Sequence, residues 1–277
     1  MDLPAVLAAL DEQLRRHPVA GPGVRVENED RVTRMVGTDG SWSSVVWSGL
    51  SEADADDVIA REIARATEAS FEWKLYSHDR PADLPDRLRA AGFTPEPVET
   101  VMVADLADLD LPVPAPDGIR LATVEDDAGV EAMLRVHDEV FGPGTTYPSV
   151  VEAVRTALGI HPRPIEAVLA RAGDTAVSAG RVEFHEGTDF ASLWGGGTLP
   201  EWRGRGVFRA LVGHRAVLAR DRGFRYLQVD ALPTSRPILE RMGFHPLTGT
   251  TPWTYGSKSE EATPAGPLSP SGAQDSS

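Results

Sequence analysis

The sequence predicts an α/β chain built of two similar halves, on three observations. Helical periodicities alternate with short β-branched and aromatic runs along most of its length. The order of those elements recurs, and aligned positions repeat at a constant offset of 151 residues. The second half also carries an arginine- and glycine-rich turn, Leu199-Pro200-Glu201-Trp202-Arg203-Gly204-Arg205-Gly206, between an apolar strand and an amphipathic helix.

In the first half, Leu3, Val6, Leu7, Leu10 and Leu14 fall at helical spacing and predict a helix over residues 3–15, closed by Gly21-Pro22-Gly23. Residues 23–28, 31–37 and 42–50 read as strands. Ser51-Glu52 opens a helix to about Thr67, with Val58, Ile59 and Ile63 as its apolar stripe. A strand over 71–76, a helix over 84–91 ending at Gly92, and a strand over 98–103 follow.

The second half begins after a stiff segment, residues 106–118, in which Pro112, Pro114 and Pro116 recur. Residues 119–121 predict a strand, 124–140 and 149–158 two helices, and 165–171 and 176–184 two strands turned at Gly173-Asp174. Leu193 and Trp194 end a third strand in Gly195-Gly196-Gly197; Val207, Leu211 and Leu218 mark the next helix, 224–232 a strand, and 238–242 a helix. With the offset of 151, Asp79, Leu88, Gly92, Phe93, Pro95 and Thr100 fall on Asp230, Leu239, Gly243, Phe244, Pro246 and Thr251. Residues 257–277, rich in Ser, Pro, Ala and Gly without an aromatic residue, are expected to be a disordered tail.

The turn is where chemistry is expected. Gly204 and Gly206 allow a ligand close to the backbone, and a helix start leaves amides unpaired at the positive end of the dipole, a site for phosphate. Residues 203–225 hold seven Arg and one Asp, a local +6 in a chain of net charge −15. That island implies an anionic ligand, although a solvated helix face also carries such residues. The nucleoside-triphosphate loop, which needs a Gly-Lys-Ser/Thr run, is absent, and the three spaced glycines of a dinucleotide fold are missing after Leu199.

At these residues the sequence resembles the GNAT superfamily of acyl-CoA-dependent N-acyltransferases. The family signature at a strand-to-helix turn is matched by Arg203 and Gly206, with Gly204 the usual second residue; Phe208 departs from it, standing where Gly or Ala is preferred. The resemblance covers about residues 119–255 and extends through Ile238 to the Gly243-Phe244 pair. It implies two GNAT-like domains, each a mixed, mostly antiparallel central sheet flanked by helices: a degenerate one over residues 1–105, a linker over 106–118, and an acyl-CoA-binding one over 119–256. The first half is expected to hold no coenzyme A, because Glu52, Asp54, Asp56 and Asp57 stand where the second has its arginines and glycines.

The resemblance implies acetyl-CoA as co-substrate, held by Gly197, Thr198, Leu199, Arg203, Gly204, Arg205, Gly206, Val207 and Phe208, with Ser235 and Arg236 in reach. A backbone amide among residues 197–199 is expected to stabilise the oxyanion as an amine attacks the thioester. A charged residue within a central strand faces a cleft or a partner, which makes Glu183 the first candidate base and Asp230 the second, an ion pair with Arg181 being the bland alternative for Glu183. His137 and His214 are expected to serve packing or surface. The family's usual Tyr acid and Asn are replaced by Leu239 and Leu232, leaving Tyr147, Tyr226, Ser235 or water for that role.

Composition sets the outer bounds. With 277 residues, 41% apolar and 25% charged, the chain suits two soluble domains. Cysteine is absent, which excludes disulfides, thiolate zinc sites and transfer through an enzyme thiol, and no His pair has metal-ligand spacing, so no metal is expected. A pI near 4.9 argues against nucleic-acid partners. No signal sequence or membrane span is read, so a cytoplasmic monomer or homodimer is expected. The function expected is acetylation of a primary amine on a small molecule; the alternatives are a non-catalytic ligand-binding protein and an acetyltransferase of protein N-termini or lysines.

Overall fold

In the computed structural model, which describes residues 1–256, the predicted elements appear with small shifts at their ends. The tail, residues 257–277, lies outside the described residues. Helix α1 (Leu3–Leu10) is capped by Asp2, which accepts from the amide of Ala5 at 3.3 Å, and continues as a π-helical turn through Arg16. Strands β1 (Val24–Asn28), β2 (Val32–Gly37) and β3 (Trp42–Ser48) form an antiparallel meander, after which α2 (Ala55–Arg65) crosses over and β4 (Ser70–Tyr76) returns parallel to β3. Helix α3 (Leu84–Ala90), the short β5 (Thr94–Pro95) and β6 (Glu99–Asp105) complete the first half.

The second half adds β7 (Ile119–Thr123), α4 (Asp127–Phe141) and α5 (Pro148–Leu158), then repeats the plan. Strands β8 (Ile165–Ala172), β9 (Thr175–Phe184) and β10 (Phe190–Thr198) form the meander, α6 (Val207–Asp221) crosses over, and β11 (Tyr226–Ala231) returns parallel to β10. Helix α7 (Arg236–Arg241) and β12 (His245–Tyr255) follow.

The repeat holds at the level of atoms around the helix ends. Gly92 and Gly243 close α3 and α7 at φ 98° and 95°, where a side chain is disfavoured. The next amide bonds back in each, Phe93 to the Leu88 carbonyl and Phe244 to the Leu239 carbonyl, both at 3.0 Å. All four of those Leu and Phe residues are buried. The equivalence does not reach Asp79 and Asp230: the former lies beyond the end of β4 and the latter within β11.

The twelve strands form one continuous sheet in which the halves exchange their last strands. Strand β12 pairs with β4 of the first half, where Trp253 stands opposite Trp73, while β6 lies between β12 and β11. The boundary at residues 106–118 therefore does not divide the sheet. That segment packs on the second half: Leu109 and Leu111 join the core beneath α6 and α7, and Val113 lies over Gly213, where a Cβ would stand 2.5 Å from it.

Two faces result. Val212, Ala216 and Ala219 of α6 and Leu239 of α7 cover Val182, Ala191, Leu193 and Leu227 on one face. On the other, α4 and α5 cover Ala167, Leu169 and Ala179, and α1 lies over Val101, Val103, Phe190 and Tyr226. Alternation along a strand fixes which residues face which layer, so Glu183, Trp194 and Asp230 point to the α1–α4 side. Among the described residues no helix is long and apolar enough to cross a membrane.

Candidate active site

Strands β10 and β11 pair from Phe190 opposite Tyr226 to Leu193 opposite Val229, and no further. Just beyond that point β10 bulges. Gly195 and Gly196 together stand opposite Gly180, between the pairs Trp194 with Arg181 and Gly197 with Ala179. Gly195 takes φ 57°, and a Cβ on it would come within 3.0 Å of the His137 ring. Two adjacent backbone units are thus outside the ladders, at the mouth of a splay between parallel strands.

From this strand the chain enters a 3-10 turn, Pro200–Trp202, and then the glycine turn. Gly204 and Gly206 take φ 72° and 84°, and nothing lies within 4 Å of a Cβ built on Gly204. The amides from Gly204 to Arg209 have no hydrogen-bond partner among the described residues. They form a bare cluster of donors at the start of α6, the chemistry that phosphate oxygens require. Phe208 does not block it, since its ring packs into the core beneath Gly196.

The arginine island is less concentrated than its count implies. Arg203 donates to the Thr198 carbonyl at 3.0 Å and Arg205 stacks on Trp202 at 5.0 Å, leaving Arg205 and the exposed Arg209 at the turn. Arg220, Arg222 and Arg225 gather at the far end of α6, paired with Asp221, Glu166 and Asp105. A 15-residue helix separates the two groups by about 20 Å.

Of the amides expected to face the oxyanion, that of Leu199 is already bonded, donating to the Val177 carbonyl at 2.9 Å, and cannot serve. Ser178 Oγ donates to the Gly197 carbonyl at 2.6 Å and lies 2.8 Å from the Thr198 hydroxyl, while Arg203 donates to the Thr198 carbonyl, so none of these bonds uses the N–H of Gly197 or Thr198. The backbone left outside the β9 ladder, Gly195 and Gly196, immediately precedes that expected stretch.

On the opposite side of the splay the candidate carboxylates are both paired. Glu183 Oε1 accepts from Arg181 Nε at 2.7 Å, while Oε2 has no partner among the described residues and the side chain is 27% exposed. Asp230 is more fully committed: one oxygen pairs with Lys74 and the other accepts from Gln228 at 2.6 Å. Burial opposes the charge on Lys74, but the Asp230 carboxylate, together with Tyr76 and Glu72, outweighs it and raises the Lys74 pKa. The Trp194 indole lies between two cations, with Lys74 Nζ at 5.3 Å and the Arg181 guanidinium at 5.8 Å. Its Nε1 donates to Ser192 Oγ at 2.9 Å, and that hydroxyl also bonds His185 at 2.7 Å. His137 is buried against Gly195, and burial, aided by Arg181, pushes its pKa down to about 4.

The remaining predicted positions take plainer roles. Leu239 is 1% exposed in the core, and Leu232 is at the surface. Ser235 precedes α7 and bonds the Leu232 carbonyl at 3.2 Å, and Arg236 pairs with Glu240 at 2.8 Å. In the first half, α2 carries Asp56 and Asp57 in its first turn and Asp54 before it, so the start of this helix is crowded with carboxylates whereas the first turn of α6 has no acidic residue.

Lys74 was not among the predicted site residues. Its signal was present: a lysine alternating with Phe71, Trp73 and Leu75 lies inside a strand and needs a partner. What the sequence hid was which partner, 156 residues away.

No protein-family model matches the chain, and no curated protein matches its sequence. Solved structures do match. A GCN5-related N-acetyltransferase from Kribbella flavida superposes with a TM-score of 0.63 at 17% identity, covering 92% of this chain and 96% of that one. A tandem GNAT protein from the clavulanic acid biosynthesis pathway gives 0.57 at 17% identity, over 91% and 93% of the two chains. A GCN5-related N-acetyltransferase from Sphaerobacter thermophilus gives 0.56 at 15% identity, over 82% and 81%. With its meander, crossover helix and splayed parallel pair, the chain has the fold of the GNAT superfamily.

Proposed function

We propose that the protein is an acyl-CoA-dependent N-acyltransferase, moving an acetyl group from acetyl-CoA to the primary amine of a small molecule within a ternary complex. One observation carries the reading. The strand that parts from β11 after Leu193 ends in a turn whose amides, Gly204 to Arg209, are unpaired.

The residues present fit such a co-substrate. Bare amides at a helix start, with Arg205 and Arg209 beside them, suit a pyrophosphate. The open backbone at Gly195 and Gly196 suits an amide-bearing chain laid along the strand. When bound, acetyl-CoA supplies the activated acyl group. Glu183, through its free oxygen, takes the amine proton directly or through water. Asp230, with both oxygens bonded, serves to fix Lys74 and, through it, the Trp194 face. Helix α1 and helix α4 stand over neighbouring strands on this side, which favours a small acceptor over a protein chain.

A second reading, an acyl-CoA-binding protein without turnover, is favoured by Leu239, buried where a Tyr acid is expected. Release of free thiol from acetyl-CoA, measured against a panel of small amines, separates the two. Transfer requires amine-dependent release and a loss of about 100-fold in kcat for Glu183→Gln. Tight binding of acetyl-CoA with no amine-dependent release establishes the second reading.

A further inference from the structure

One buried cation has no part in the contacts described so far. Arg215, two turns into α6, is 1% exposed, and its three hydrogen bonds all go to carbonyl oxygens. Nε donates to Leu211 of its own helix at 3.1 Å. Nη1 donates to Arg181 at 3.0 Å and reaches Trp194 at 3.4 Å, the two residues that flank the β10 bulge. Burial and the nearby Arg181 both oppose its charge and bring its pKa down to about 9, so it remains a cation at neutral pH.

The sheet is built around this side chain. A Cβ on Gly180 would stand 2.7 Å from Nη1, and one on Gly196 would stand 3.3 Å from Nη2. Gly180 of β9 and Gly196 of β10 thus both make room for the guanidinium. A buried charge without a carboxylate is costly, and such groups are retained mainly where a site needs them. A planar fork reaches two carbonyls at fixed spacing, whereas an ammonium acts as a point.

We propose that Arg215 is a positioning residue for the transfer: its guanidinium holds the β10 bulge in the shape that opens this strand toward the β11 splay. The catalytic consequence rests on the transferase reading; the structural one does not. Because the phosphate-binding turn at residues 203–209 is separate from the bulge, loss of Arg215 acts on turnover more than on the affinity for the carrier, of which only the chain laid along Gly195 and Gly196 meets the bulge.

The test uses Arg215→Met, which removes the fork, and Gly180→Ala, which displaces it but keeps its charge. Hydrogen exchange of the amides at residues 194–197 reads the bulge directly, calorimetry with coenzyme A reads the turn, and thiol release reads turnover. In both variants exchange at those amides is expected to quicken by about tenfold or more. Coenzyme A affinity should fall by no more than about tenfold, with the turn left to hold the phosphates, and kcat should fall by about 100-fold, the cost of a small misplacement. In Arg215→Ala, millimolar methylguanidinium should restore part of kcat. If Arg215→Met does not fold, Gly180→Ala and Arg215→Lys carry the same readouts. Unchanged exchange and kcat overturn the proposal, as does a parallel fall of kcat, coenzyme A affinity and thermal midpoint. Should the wild type turn over no amine, the transferase reading fails, while exchange at residues 194–197 still decides the role of Arg215.

Discussion

Lys74 of the first half and Asp230 of the second form an ion pair at the open end of the β10–β11 splay, with 14% and 4% of their side chains exposed. Each is anchored in a different half, Lys74 on β4 and Asp230 on β11, and the exchanged strands β12 and β6 lie between them. The pair ties the first half to the strand that borders the splay. Its removal should be felt in stability as well as in turnover.

Replacing Lys74 by Met leaves Asp230 buried without its cation, at a cost of about 3 kcal/mol. The double variant Lys74→Met, Asp230→Leu should recover most of that loss, because both charges are gone. Urea unfolding of the two variants checks this. Equal stability of Lys74→Met and wild type would show that the pair is too well solvated to matter.

His137 gives the fold a dependence on pH. Its folded pKa of about 4 lies below the ordinary value of 6.5, so between these limits the unfolded chain binds a proton that the folded chain refuses. Stability is fully present above pH 6.5 and falls as pH drops toward 4, by about 3 kcal/mol from this group. His137→Gln should flatten that limb of the pH–stability curve. A variant curve parallel to wild type from pH 6.5 to 4 would remove His137 as its source.

The exchanged strands predict how the halves behave once separated in sequence. A protease site placed at the exposed Asp110 and then cleaved leaves β6 paired with β11 and β12, and β12 paired with β4. The two fragments should co-elute in size exclusion and part only in denaturant. Separation under native conditions would contradict the continuous sheet.

Much of this was legible in the sequence, and the residues show why the rest was not. The helix ends at Gly92-Phe93 and Gly243-Phe244 were visible because a left-handed glycine followed by a buried aromatic leaves a local signature. The glycine turn was visible for the same reason. Strand exchange was not, since either partner satisfies β6 and β12 and the pairing is chosen by contacts such as Trp73 with Trp253 across the two halves. Arg215 was counted only as one of the seven arginines of the 203–225 island, although it falls four residues after Leu211 on the apolar stripe. Charge content alone does not tell a solvated arginine from one seated against two glycines of neighbouring strands.

The asymmetry between the two helix starts is the centre of the account: free amides at Gly204 to Arg209, and carboxylates at Asp54, Asp56 and Asp57. Calorimetric titration with acetyl-CoA tests it most directly. One site per chain is expected, weakened by about tenfold in Arg205→Glu, where a charge-assisted contact becomes a repulsive one, and unchanged in Asp56→Ala. Two sites per chain, or no binding at all, would contradict it.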